Sequence, residues 1–214
     1  MTKTITVDDL KSLLNLIAEA MTREKDRLCE LDGVIGDADH GIAMELGFSG
    51  AAKAVVPLDS ATADPTLVFN TAAKAFLNAV GASSGPLYAT ALMRAGAAVK
   101  GKPSLTDDDM VDAFVALAKG IQDRGKAEVG EKTMVDAWAP AATACRAARD
   151  KGLSLADCLS EALIAAEAGT EATKHMVATK GRSSRLGERA LGHIDPGAAS
   201  ATVVISCFKG FFLP

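Results

Sequence analysis

Aromatic side chains are scarce in this sequence: 4% of 214 residues, with one tryptophan and one tyrosine, although 49% of the chain is hydrophobic. The apolar content therefore rests on Ala, Leu, Val, Ile and Met, which suit close-packed helices better than sandwiches or barrels of strands. No uninterrupted apolar run reaches the roughly 18 residues that span a bilayer, and the polar start Met1-Thr2-Lys3-Thr4 lacks the hydrophobic core of a secretory signal. A cytoplasmic protein with no membrane contact is expected. A basic block is missing too. The 23 Lys and Arg against 27 Asp and Glu leave a net charge of −4, which argues against nucleic acid as a partner but leaves a small anionic ligand open. Cys29, Cys145, Cys158 and Cys207 lack CxxC spacing and read as packed, reduced thiols rather than disulfide or zinc ligands. Neither GxxxxGK[ST] nor Gly-x-Gly-x-x-Gly occurs, which excludes a P-loop and disfavours a Rossmann dinucleotide site. No Ser/Cys–His–acid triad has a recognisable local context, so a hydrolase is poorly supported.

What is present is helical periodicity with clear caps, over a length that calls for one domain, residues 1–214. The first helix follows a Thr6 cap answered by Asp9, carries Val7, Leu10, Leu13, Leu14, Ile17 and Met21 on one stripe, and fades near Glu30. A second starts at His40 or Gly41 and stops at Pro57. A third has Asp64 as cap and Pro65 at its first position, and runs to Val80. A fourth opens at Ser84-Gly85-Pro86 and ends before Gly101, and a fifth is capped by Thr106 with three aspartates in its first turn. The sixth follows Glu131-Lys132-Thr133, with Pro140 expected to kink it or mark an irregular turn. The seventh runs from the Ser154 cap towards Ala178. The eighth has Asp195 as cap and Pro196 at its first position. The stretch from Lys180 to Gly192 is predicted to be a long ordered loop.

Short connections imply antiparallel neighbours, hence an all-α, up-and-down barrel or bundle of about eight helices. Every odd-to-even connection then falls at one end, and those four loops hold the unusual sequence: Asp32 to Gly41, Gly81 to Pro86, Gly125 to Met134, and Lys180 to Gly197. The N-termini of the even-numbered helices would converge there, which favours an anion.

Within these loops, Asp32, Asp37 and Asp39 lie in a Gly-interrupted segment that could aim several carboxylates inward, an oxygen-only set that suits Mg²⁺. It is not an EF-hand. The competing reading is that Asp39 caps the second helix and the others form Asx turns. Ser83-Ser84-Gly85-Pro86 offers hydroxyls and amides to phosphate, though the same sequence is an ordinary loop-to-helix cap. Lys180, Arg182, Arg185 and Arg189 concentrate positive charge near Asp195-Pro196-Gly197, and an Arg can hold phosphate bidentately, although exposed arginines are usually just solvated. His40 and His193 lie in the same loops, whereas His175 falls inside a helix.

Taken together, Gly36-Asp37-Ala38-Asp39-His40-Gly41, Gly85-Pro86-Leu87-Tyr88, Gly130 to Asp136, and Gly187-Glu188-Arg189 with Gly192 to Gly197 resemble the nucleotide-binding L component of dihydroxyacetone kinases. The resemblance covers essentially the whole chain, in order. It implies an eight-helix barrel with Mg²⁺ and ADP or ATP at one end. Asp32, Asp37 and Asp39 would hold a pair of Mg²⁺ ions, His40, Gly41, Ile42 and Ala43 would border the nucleotide, and Ser83 and Ser84 would meet phosphate. Gly125 and Met134 would line the adenine side, Arg182 would meet phosphate, and Asp195, Pro196 and Gly197 would close the site. Asp32, Asp37, Asp39 and Arg182 are thereby the expected catalytic set. Two positions depart from the family: Ala38 stands where Gly is frequent, tolerable only without positive φ, and Ala43 replaces a frequent Asn.

The implied activity is phosphoryl transfer to a small ketose held by a separate K subunit, with the nucleotide recharged by a phosphotransferase-system M component. The length leaves no room for a substrate domain of its own. An ATP-dependent triose or tetrose kinase subunit acting on erythrulose, and a nucleotide-state signal to a transcription regulator, are the alternatives. A homodimer stays open.

Overall fold

The computed structural model describes residues 4–81 and 84–213. Among them are eight α-helices: α1 (Val7–Ile35), α2 (His40–Val55), α3 (Pro65–Ala79), α4 (Ser84–Ala98), α5 (Asp107–Gly125), α6 (Val135–Asp150), α7 (Leu155–Ala172) and α8 (Pro196–Phe212). Two short 3-10 segments, Thr173–His175 and Arg182–Ala190, lie between α7 and α8. Each helix packs on the next and α8 returns to α1, so the all-α arrangement is a closed ring of antiparallel neighbours. No helix among the described residues is long and apolar enough to cross a membrane.

The caps act as the sequence predicts at most starts. Thr6 and Thr106 form capping boxes with Asp9 and Asp109, while Asp64, Ser154 and Asp195 each accept a backbone N–H of the first turn they precede. Far from the unusual loops, Ile5 and Leu105 exchange two backbone hydrogen bonds of 2.8 Å, which pin the start of the chain to the turn before α5.

The few aromatic residues are concentrated inside the ring. Phe48, Phe76 and Tyr88 form one cluster with centroids 5.0–5.2 Å apart, and Trp138, Phe114 and Phe208 form another at 5.3–5.5 Å. Both sets favour tilted or edge-to-face contacts, which add to area burial. Ala dominates the remaining contacts, letting helix backbones come close. All four cysteines are free thiols, three of them buried.

Two boundaries differ from expectation. Helix α1 continues past Glu30 to Ile35, so Asp32 belongs to a helix rather than a loop. Helix α7 stops at Ala172, well before Ala178, with a single 3-10 turn after it. Pro140, as placed by the sequence, lies inside α6. Proline at that position removes the bond to the Asp136 carbonyl, and α7 covers the freed oxygen: a Cβ placed on Gly169 would lie 1.9 Å from it and 3.3 Å from Pro140 Cγ. Only glycine permits that approach.

Candidate functional site

The end of α1 and the start of α2 are joined by Asp32. It lies on the last turns of α1, is buried, and its Oδ2 accepts the backbone N–H of Asp39 at 3.0 Å and of His40 at 3.2 Å. Those amides open α2 and have no intrahelical partner. Asp32, and not Asp39, therefore caps α2: Asp39 occupies the N-cap position, but its side chain makes no capping bond. The turn between the two helices forces Ala38 to φ +63°, so the condition attached to Ala at this position is not met and the turn is strained.

This loop brings Asp32, Asp37 and Asp39 together, with one carboxylate oxygen from each inside a 4.8 Å cluster. Partial desolvation, and then the neighbouring Asp32 charge, hold the Asp39 carboxylate above its ordinary value. A set made only of oxygens, two of them exposed and mutually repelling, fits a hard divalent cation that would relieve the repulsion.

The three acids open onto a cavity of about 620 Å³, within the range that holds a nucleotide-sized ligand. Residues from the starts of α2 (His40, Ala43), α4 (Ser84, Pro86, Leu87), α6 (Met134, Val135) and α8 (Pro196, Gly197) line it, so four helix N-termini face one space. Val80, Leu87, Ile121, Ala127 and Met134 supply an apolar side beside Gly125 and Arg124. The cavity thus pairs an anion-binding end with an apolar slot.

Most sequence-predicted residues meet here: Asp32, Asp37, Asp39, His40, Ala43, Ser84, Gly125, Met134, Asp195, Pro196 and Gly197 all line the cavity. Gly41 and Ile42 do not. Gly41 instead faces α1, where a Cβ would lie 2.0 Å from the Lys25 carbonyl oxygen and 2.9 Å from Cys29 Sγ. Ile42 is half exposed; both contribute first-turn amides of α2. Ser83 lies outside the described residues, as does the Arg182 side chain, whose backbone begins the second 3-10 segment. Arg185 and Arg189 are exposed and away from the lining, while Lys180 lines the cavity and pairs with Glu131 at 3.8 Å.

The principal residue missed by sequence reasoning is Lys132. It is fully buried at φ +60°, and its Nζ donates to the carbonyls of Thr173 and His193, each at 2.5 Å. Burial pushes its pKa down against the opposing charges of Asp195 and Asp136. The Asp195 carboxyl, buried as the N-cap of α8, is pushed up to about 7 by desolvation, against the Ala198 amide and Lys132. Thr173 Oγ1 accepts the Asp195 backbone N–H at 3.0 Å, and Asp136 accepts the amides of Gly130 and Thr133 at 2.6 and 2.7 Å. Lys132 thus ties the loop before α6, the end of α7 and the approach to α8 into one wall. The signal was available: Lys132 lies in the Gly130 to Asp136 motif, but a loop lysine ordinarily reads as solvated.

Comparison with known proteins agrees with this geometry. The DAK2 domain matches residues 34–210. The chain is 38% identical to the ADP-binding subunit DhaL of PEP-dependent dihydroxyacetone kinase 2 of Listeria innocua, over 86% of this chain and 85% of that one. It is also 38% identical to the corresponding subunit of Escherichia coli, over 87% and 88%. Among solved structures, the dihydroxyacetone kinase of C. freundii in complex with AMP-PNP and Mg²⁺ superposes with a TM-score of 0.74 at 23% identity, covering 98% of this chain but 35% of that one. That last likeness bears on the fold alone. Sequence identity sustained over most of both chains settles the family: the chain belongs to the DAK2 domain family, among the L subunits of dihydroxyacetone kinases.

Proposed function

We propose that the cavity binds a Mg-nucleotide and that the chain is the phosphoryl-transfer subunit of a dihydroxyacetone kinase. The observation that carries this is the junction of two features in one cavity: three carboxylates within 4.8 Å, and four converging helix N-termini. Either alone has ordinary structural explanations; together they provide cation ligands beside phosphate donors. Asp32, Asp37 and Asp39 would hold Mg²⁺, which would supply charge neutralisation to the phosphate oxygens. Three carboxylates are enough oxygen donors to serve a pair of ions.

The chain's own residues do the rest by position. Amides at the starts of α2, α4 and α8 face the phosphates, with Ser83, Ser84 and Arg182 as further donors. Met134, Ile121, Leu87 and Gly125 form the slot for the base, and Asp195, Pro196 and Gly197 close it. Fixed donors placed around the transferring group are the main means by which such sites accelerate phosphoryl transfer.

The acceptor is a small ketose such as dihydroxyacetone, presented by a separate K subunit, with one L-type domain spanning residues 1–214. The donor reading is supported by relatives 38% identical to this chain that are named PEP-dependent and ADP-binding: ADP stays bound and is recharged by a phosphorylated M-type carrier. The test is to supply the K subunit and compare donors. The purified chain is expected to retain ADP in a one-to-one ratio and to turn over only with the phosphorylated carrier. Efficient turnover on free ATP with readily exchanged ADP would instead mark an ATP-dependent ketose kinase.

A further inference from the structure

Beneath the cavity floor a second polar feature links two of its walls. Ser200, on the second turn of α8, is completely buried. Its Oγ lies 2.8 Å from His40 Nε2 on α2 and donates to the Gly197 carbonyl at 3.0 Å. A hydroxyl has a single hydrogen. With that hydrogen on Gly197 O, Ser200 Oγ faces His40 as an acceptor, and the hydrogen between the two groups belongs to the ring.

Two further buried polar atoms lie close to this pair. Tyr88 Oη and Trp138 Nε1 are buried and have no partner at regular hydrogen-bond geometry among the described residues. Both belong to the aromatic core beneath the site, and Trp138 and Ser200 are close enough to Tyr88 to temper the rise that burial imposes on its hydroxyl.

We propose that Ser200 is a positioning residue that locks His40 in its Nε2–H tautomer and thereby clasps the N-terminus of α2 to that of α8. The partner of one ring nitrogen fixes the state of the other. Nδ1 is consequently an acceptor. His40, on the cavity wall, then takes a hydrogen from a ligand hydroxyl or a bound water, and does not donate to phosphate. The clasp also holds Gly197, at the closing edge of the cavity, in register with His40. The tautomer follows from the geometry alone; its consequence for nucleotide rests on the function proposed above.

The experiment is a two-bond ¹H–¹⁵N correlation of the imidazole rings in the full chain without nucleotide, at about pH 8, where an ordinary imidazole is neutral. His40 is assigned by the loss of its signals in His40→Asn. The expected result is a single Nε2–H tautomer for His40 in the wild type, mixed tautomers in Ser200→Ala, and restoration in Ser200→Thr. Mg-ADP is expected to bind about tenfold more weakly to Ser200→Ala, with recovery in Ser200→Thr. A wild-type Nδ1–H tautomer overturns the proposal without any variant, as does an unchanged tautomer in folded Ser200→Ala. Should the wild type fail to bind Mg-ADP at all, the nucleotide reading falls while the tautomer result stands by itself.

Discussion

The Asp32 carboxylate accepts the backbone N–H of Asp39 at 3.0 Å, so a side chain on the last turns of one helix holds in place the second of the two acids that follow it in the proposed cation site. The geometry of the acidic cluster therefore depends on how closely α1 and α2 pack. Gly41 sets that distance, since a Cβ there would lie 2.0 Å from the Lys25 carbonyl oxygen. Gly41→Ala should force the helices apart, lower stability by about 2 kcal/mol, and weaken Mg-nucleotide binding through displacement of Asp39. Chemical denaturation beside a binding titration checks this. A variant of wild-type stability would remove the packing role assigned to Gly41.

Ala38 is held at φ +63° in the turn between Asp37 and Asp39. A left-handed conformation costs an L-residue about 1–2 kcal/mol, from which the greater unfolded-state freedom of glycine takes back about 0.5–1. Ala38→Gly should therefore raise stability by up to about 1.5 kcal/mol, readable as a rise in melting temperature. Destabilisation by this change would mean that the turn is not strained as described.

Lys132 fixes the opposite wall. Lys132→Met preserves bulk but leaves the Thr173 and His193 carbonyls without their donor, and Asp195 and Asp136 without the nearby cation. A loss of about 2–4 kcal/mol is expected in denaturant unfolding, together with weaker nucleotide binding. Wild-type stability in this variant would show that the buried ammonium is dispensable.

These residues also show where the sequence was readable and where it was not. Helix starts were legible because Thr6, Asp64, Thr106, Ser154 and Asp195 cap through their own side chains, a local interaction written in three or four consecutive residues. The cap of α2 was misplaced because the accepting carboxylate belongs to Asp32, seven and eight residues before the amides it serves. The continuation of α1 to Ile35 was hidden by Gly33, which local propensity reads as a helix end although packing carries the helix through. The candidate ligands along the loops could be named from composition and spacing. Lys132 could be named only as part of a motif, and Ser200 and Gly169 not at all, because their roles depend on contacts across α6, α7, α8 and α2.

The Asp195 carboxyl gives a pH dependence of definite sign. Its value in the fold, about 7, lies above the ordinary 3.8, so between these limits the folded state binds more protons than the unfolded one. Stability from this group is fully present below about 3.8 and is lost as pH rises through about 7. Replacement by Asn keeps the N-cap but removes the titration. The stability of wild type relative to Asp195→Asn should therefore fall from about pH 5 to pH 7, with a slope approaching 1.4 kcal/mol per pH unit. Melting curves at several pH values check it; a flat or rising difference would contradict the assignment.

The central claim is that one cavity joins a divalent-cation site to a nucleotide site through the Asp32, Asp37 and Asp39 cluster. Calorimetric titration of ADP into the nucleotide-stripped chain, with Mg²⁺ and with chelator, and in Asp37→Asn, tests it most directly. Asp37 is exposed, so this variant should keep its helical fold and melting behaviour. The expected result is one saturable ADP site that requires Mg²⁺, weakened about 100-fold or more in Asp37→Asn. ADP binding of equal strength with and without Mg²⁺, or an unaltered affinity in the folded variant, would contradict it.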